Sequence, residues 1–192
     1  MVVTNRDDLA DRIRRLRSHG MTSLTWDRNR GHAASYDVTC HGYNYRLDEL
    51  RAALGRTQLA KLARNTDRRR RLFERYRREL AGFPSWVVPF ANVPGEGAYH
   101  LMVAVAVDRD TRECTRQALR EAGIQTSLHY PCVPDFTAFA GFGRAELPRS
   151  RQFARRAVTL PLYPALTDSQ VQEVVSLVTR ASGASPRQGN GR

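Results

Sequence analysis

Apolar positions recur at several distinct periods along this chain. Leu9, Ile13 and Leu16 follow Asn5, Asp7 and Asp8 at helical spacing. The pattern predicts a helix with Asn5 as N-cap, acidic groups against its positive end, and Gly20 as its stop. Val2-Val3-Thr4 reads as the end of a strand whose pairing partner would precede Met1. Leu47, Leu50, Leu54, Leu62, Leu72, Phe73, Tyr76 and Leu80 then mark one very long or kinked helix over 46–80, with a polar gap at 63–71. A helix lacking a continuous core-facing stripe bridges two bodies.

Gly82-Phe83-Pro84 breaks that helix, and 89–97 is a turn-rich connector. Residues 100–107 are apolar on both faces, as in a covered central strand. A helix is expected over 111–122 with Gly123 as stop, a second strand over 124–130 and a further helix over 148–157. Thr167-Asp168-Ser169-Gln170 is a capping box opening a helix that buries Val171, Val174, Val175 and Val178. The alternation predicts a small α/β sandwich. Between the first two helices, 21–41 carries Trp26, Arg28, Arg30, His32 and Tyr36 without periodicity, as functional loops do. Residues 182–192 have the composition of a disordered tail.

At 192 residues and 41% hydrophobic, the chain can bury a core. Its formal charge is +12, and with Lys61 as the sole lysine nearly all of the positive charge is guanidinium. Nucleic acid is a natural partner for such a balance. However, the arginines are scattered, Arg68-Arg69-Arg70-Arg71 is the one run, and no zinc spacing or aromatic stacking motif accompanies it, which argues against that class. Cys40, Cys114 and Cys132 match neither a disulfide framework nor a metal site, implying a reducing cytoplasm and no metal. The N-terminus turns charged too early for a signal peptide, and the longest apolar run, 101–107, is too short for a membrane span.

The stretch Gly42-Tyr43-Asn44-Tyr45-Arg46-Leu47-Asp48-Glu49-Leu50, continuing through Gly55-Arg56-Thr57-Gln58-Leu59, closely resembles the signature of DegT/DnrJ/StrS-type sugar aminotransferases, which depend on pyridoxal 5′-phosphate (PLP). His129-Tyr130-Pro131 and Leu160-Pro161-Leu162-Tyr163-Pro164 are similar to further segments of that family, although Pro134 stands where related proteins often carry a histidine. The resemblance implies an α/β fold: the C-terminal part of a fold-type I PLP-dependent transferase. It would comprise the tail of the large PLP-binding domain (1–45), a long interdomain helix (46–82), a small α/β domain (83–181) and a tail (182–192).

It also implies amino transfer from an amino-acid donor, commonly glutamate, to a nucleotide-linked keto-sugar. The Schiff-base lysine is expected on a loop upstream of Met1, so no catalytic residue is assigned in this chain and it should be inactive alone. By resemblance, Asn44 would hydrogen-bond the PLP phosphate of the neighbouring subunit in a homodimer; read from the residues, it is equally a helix N-cap. Arg46 could bind a phosphate or carboxylate bidentately. Tyr43 and Tyr45 would face the substrate or pack beneath the helix start. His129 and Tyr130 would lie near the sugar, while a lone histidine can also be structural. A complementing N-terminal PLP domain is an implied partner. The rival classes are a non-catalytic dimerisation or regulatory remnant and an Arg-rich nucleic-acid binder.

Overall fold

The computed structural model describes residues 2–23, 35–90, 95–142 and 146–183. Trp26, Arg28, Arg30 and His32, together with the tail from 184, lie outside the described residues. The chain divides into two compact units, Met1–Ala60 and Lys61–Arg192.

In the first unit, α1 (Asp7–Leu16) begins after Arg6 rather than Asn5. Arg6 occupies the N-cap position with no side-chain cap, so Asn5 does not cap the helix; the Thr4 hydroxyl accepts the Arg6 N–H (3.1 Å). Asp7 and Asp8 occupy the first turn as expected, and Asp8 also pairs with Arg6 (2.6 Å). Leu9, Ile13 and Leu16 are only half-buried, and α1 has no fully buried residue. Val2-Val3-Thr4 forms no strand among the described residues. Past α1 the chain turns back through His19 (φ 61°) and Gly20 (φ 74°), both left-handed.

The long helix α2 (Glu49–Leu80) runs from the first unit into the second. It starts three residues later than the apolar pattern predicts because Asp48 caps it: its carboxylate accepts the Arg51 N–H (2.8 Å) and its carbonyl the Ala52 N–H (2.9 Å). In its first half Leu50, Leu54, Leu59 and Leu62 are exposed; in its second half Leu72, Tyr76 and Leu80 are fully buried.

In the second unit, β1 (Trp86–Val87), β2 (Met102–Ala106) and β3 (Ala157–Leu160) form an antiparallel sheet in that order. The register pairs Trp86 with Ala106 and Met102 with Leu160. α3 (Arg109–Glu121), α4 (Pro148–Arg156) and α5 (Asp168–Ala181) complete the unit. Met102, Ala104, Ala106, Val158 and Leu160 join the buried residues of α2, Leu119 of α3, and Val171, Val174, Val175 and Val178 of α5 in one core.

Two caps set these helices. Asp108 accepts the Thr111 N–H (2.8 Å) at the start of α3, and that bond holds its carboxyl below the usual range. Thr167 and Gln170 close a reciprocal capping box on α5. The strand expected over 124–130 is a single bridge, Ser127 with Thr159. Without further pairing, the segment stays an extended edge rather than a ladder.

The Arg68–Arg71 run is engaged within the unit. Arg68 donates to the Leu166 carbonyl (2.7 Å), Arg69 to Thr66 (3.1 Å), and Arg70 and Arg71 both pair with Asp67 (2.6 and 2.8 Å).

Candidate functional site

The segment Tyr43-Asn44-Tyr45 is clasped to the chain leaving α1. Tyr43 N–H donates to Leu16 O (2.6 Å), His19 N–H to Tyr43 O (3.0 Å) and Tyr45 N–H to Arg17 O (2.9 Å), with Ser18 and Asn44 paired as a bridge. Two glycines permit this approach. A Cβ on Gly42 would lie 2.2 Å from the Gly20 nitrogen, and one on Gly20 would lie 1.9 Å from the Cys40 carbonyl oxygen.

Within this extended stretch the side chains alternate in direction. The rings of Tyr43 and Tyr45 stack on each other at 5.2 Å and 7°, and both are exposed, so neither packs beneath the helix start. Asn44 and Arg46 alternate to the other side, and both are exposed. Asn44 is not the helix N-cap, because α2 begins five residues later and Asp48 caps it. No hydrogen bond is made by the Asn44 amide among the described residues, and the Arg46 guanidinium reaches only the Met21 sulfur, at 3.8 Å. A free amide beside a guanidinium that makes no ion pair among the described residues is a donor set that fits a phosphate or carboxylate. It therefore fits the phosphate of PLP.

His129 belongs to the second unit. Its Nδ1 lies 3.0 Å from the Thr159 hydroxyl and 3.3 Å from that of Ser127, and its ring meets the exposed Tyr130 edge to face at 4.9 Å. The half-buried His129 lines two cavities, of about 530 and 630 Å³, and His100 and Leu101 line both as well. Pro134 sits in a 3₁₀ turn, Val133–Asp135, whose Asp135 is held by Arg151 (2.8 Å).

Sequence reasoning missed Thr159, Ser127 and His100. The first two become neighbours of His129 only through strand pairing, which no local pattern announces. A histidine at the mouth of an otherwise apolar strand was a readable signal for His100. Among the described residues no three His, Cys, Asp or Glu gather as metal ligands, and no helix is long and apolar enough to cross a membrane.

The pattern of the DegT/DnrJ/EryC1/StrS aminotransferase family matches residues 1–179. The chain belongs to that family. Among curated relatives, the spore coat polysaccharide biosynthesis protein SpsC of Bacillus subtilis (strain 168) is 34% identical over 187 residues, covering 93% of this chain and 48% of SpsC. Among solved structures, DesV from S. venezuelae is 32% identical with a TM-score of 0.78, over 94% of this chain and 46% of DesV. Helicobacter pylori PseC, an aminotransferase involved in the biosynthesis of pseudoaminic acid, matches at TM-score 0.82 and 23% identity, over 94% of this chain and 48% of PseC, a likeness of fold alone. DegT/StrS-family members are PLP-dependent, and the fold is that of part of a fold-type I enzyme. The chain spans about half the length of the relatives it matches.

Proposed function

We propose that this chain is the C-terminal portion of a PLP-dependent aminotransferase that moves an amino group from an amino-acid donor to a nucleotide-linked keto-sugar in the cytoplasm. The observation that carries the reading is the family match over 1–179 in a chain whose sole lysine, Lys61, is exposed along the uninterrupted helix α2. The lysine that bears the cofactor in this family is expected in the half of the relatives that the chain does not span. Alone, the chain is therefore inactive.

Within a dimer, Asn44 donates its amide N–H to the cofactor phosphate of the neighbouring subunit, and Arg46 offers a guanidinium to a phosphate or to the donor's carboxylate. Tyr43 forms the adjoining wall of the substrate site, while His129 and Tyr130 face the sugar. When bound, PLP supplies the electron sink for the proton shift. The organisation follows the family: 1–45 closes the large domain, 46–82 bridges the domains, and 83–181 is the small domain.

A non-catalytic dimerisation module is the second reading, favoured by the exposed Leu50, Leu54, Leu59 and Leu62 on α2. An Arg-rich nucleic-acid binder has less support, since the Arg68–Arg71 run is engaged internally.

The test is to fuse the chain behind a large-domain half carrying the cofactor lysine, with glutamate and a nucleotide-linked keto-sugar as substrates. The fusion should transfer the amino group and the chain alone should not. Turnover by the chain alone, with PLP trapped by borohydride on Lys61, would overturn the proposal, as would a folded, PLP-loaded fusion without transfer.

A further inference from the structure

Ser127 and Thr159 oppose each other where the edge segment meets β3. Thr159 N–H donates to Ser127 O (2.8 Å) and Ser127 N–H to Thr159 O (3.2 Å). Residues paired directly across antiparallel chains send their side chains to the same face, and His129, two residues beyond Ser127 in an extended segment, shares it. Hence two hydroxyls converge on one ring nitrogen, Nδ1.

The two hydroxyls are not equivalent. Ser127 is exposed and can exchange its proton with water. Thr159 is 6% exposed, and His129 Nδ1 is the partner of its hydroxyl among the described residues. A buried O–H that donates to nothing is costly, so the Thr159 proton goes to Nδ1. A neutral imidazole that accepts at Nδ1 carries its own proton at Nε2. Nε2 has no partner among the described residues.

The cavities beside His129 add the ligand's chemistry. Among the described residues no arginine lines either cavity, and Lys61 is absent from both. Glu173 lines the first, and Glu74 and Glu96 line the second. Glu74 is paired with Arg77 (2.6 Å), which does not line the cavity. A lining that holds carboxylates and, among the described residues, no arginine or lysine disfavours a phosphate, whereas a neutral oxygen finds a donor in Nε2–H.

We infer that Thr159 is a positioning residue that holds His129 as the Nε2–H tautomer, so that His129 donates a hydrogen bond to a neutral sugar oxygen, hydroxyl or carbonyl. The ligand half of this inference rests on the proposed sugar-facing role of His129; the tautomer half stands on the geometry alone.

Ring-nitrogen NMR of the full 192-residue chain, above the pH at which histidines titrate, tests both halves. The signals are assigned to His129 by their loss in His129→Gln. In the wild type and in Thr159→Ser, Nδ1 should resonate as an unprotonated, hydrogen-bonded nitrogen. In Thr159→Val it should move downfield toward the position of a free pyridine-type nitrogen, with the longer 3.3 Å contact to Ser127 remaining. A protonated Nδ1 in the wild type, or an Nδ1 that does not move in a folded Thr159→Val chain, overturns the positioning role.

Titration with methyl α-glucopyranoside should then shift the Nε2 signal, about tenfold more weakly in Thr159→Val, while inorganic phosphate leaves it in place. A response to phosphate alone, or to neither probe, overturns the assignment of a neutral sugar oxygen. Failure of the aminotransferase reading would show instead as a folded, loaded fusion enzyme without amino transfer, with these resonances unaffected.

Discussion

Replacing Gly42 with alanine should open the clasp that presents Asn44, while the same replacement at Gly55 should do the reverse. At Gly42 the new Cβ would sit 2.2 Å from the Gly20 nitrogen, 2.5 Å from the His19 carbonyl carbon and 2.9 Å from the His19 Cα. All three are backbone atoms, so no side chain can swing aside, and relief requires the chains to separate. Separation breaks the bonds Tyr43 N–H to Leu16 O, His19 N–H to Tyr43 O and Tyr45 N–H to Arg17 O. At a net ~1 kcal/mol each, the loss is about 3 kcal/mol, within the range seen for overpacked sites.

Native-state hydrogen exchange reads this directly, since about 3 kcal/mol is a hundredfold or more in the opening equilibrium. The amides of His19, Tyr43 and Tyr45 should lose about two decades of protection while those of β2 and β3 keep theirs. Gly55 lies inside α2 with nothing within 4 Å of an added Cβ, and alanine there should stabilise the helix by about 0.5–1 kcal/mol. Unchanged protection of Tyr43 and Tyr45 in Gly42→Ala would refute the clasp as the device that holds Asn44.

Three further substitutions probe the second unit. Tyr76 is fully buried, its hydroxyl has no partner among the described residues and burial pushes its pKa up, so Tyr76→Phe should raise the urea midpoint by the equivalent of about 1 kcal/mol. A loss of stability would contradict this. Thr167→Ala removes the capping box of α5 and should cost about 1 kcal/mol in the same assay. Asp108 has a depressed pKa in the fold, so its contribution is present above the unfolded aspartate pKa of about 3.9 and lost as pH falls through the folded value. Asp108→Asn should therefore flatten the acid limb of the stability profile, which a pH series of thermal melts would show.

How far the sequence carries depends on whether a feature is local. The capping box at Thr167 and Gln170, the stop at Gly123 and the valine stripe of α5 are written within a few residues of one another, and each is found where the pattern places it. The start of α2 was misplaced because Asp48 competes with Asn44 as the cap, and the nearer carboxylate takes the free Arg51 N–H. Asn5 caps nothing because α1 starts one residue later than the pattern places it, with Arg6 at the N-cap position and no side-chain cap. The strand over 124–130 failed because alternation marks an extended segment but not how many bonds its neighbour can supply. Register across β3 was invisible for the same reason, and with it the Thr159 and Ser127 hydroxyls around His129. The exposed leucines of α2 also could not be told from core by period alone: helical spacing reports a face, not what covers it.

The central claim is that this chain completes a PLP site by supplying Asn44 to a neighbouring subunit, and mixed dimers of the fused enzyme test it most directly. One subunit carries Asn44→Ala with the cofactor lysine intact; the other lacks that lysine and keeps Asn44. If the lysine and Asn44 of a site come from different chains, one site in the mixed dimer is whole and the other carries both defects. Amino transfer should then return to about half that of the unmodified dimer, while the Asn44→Ala homodimer binds PLP about ten- to a hundredfold more weakly, the equivalent of one hydrogen bond to a charged group. Amino transfer in the mixed dimer no higher than in either mutant homodimer would contradict the claim.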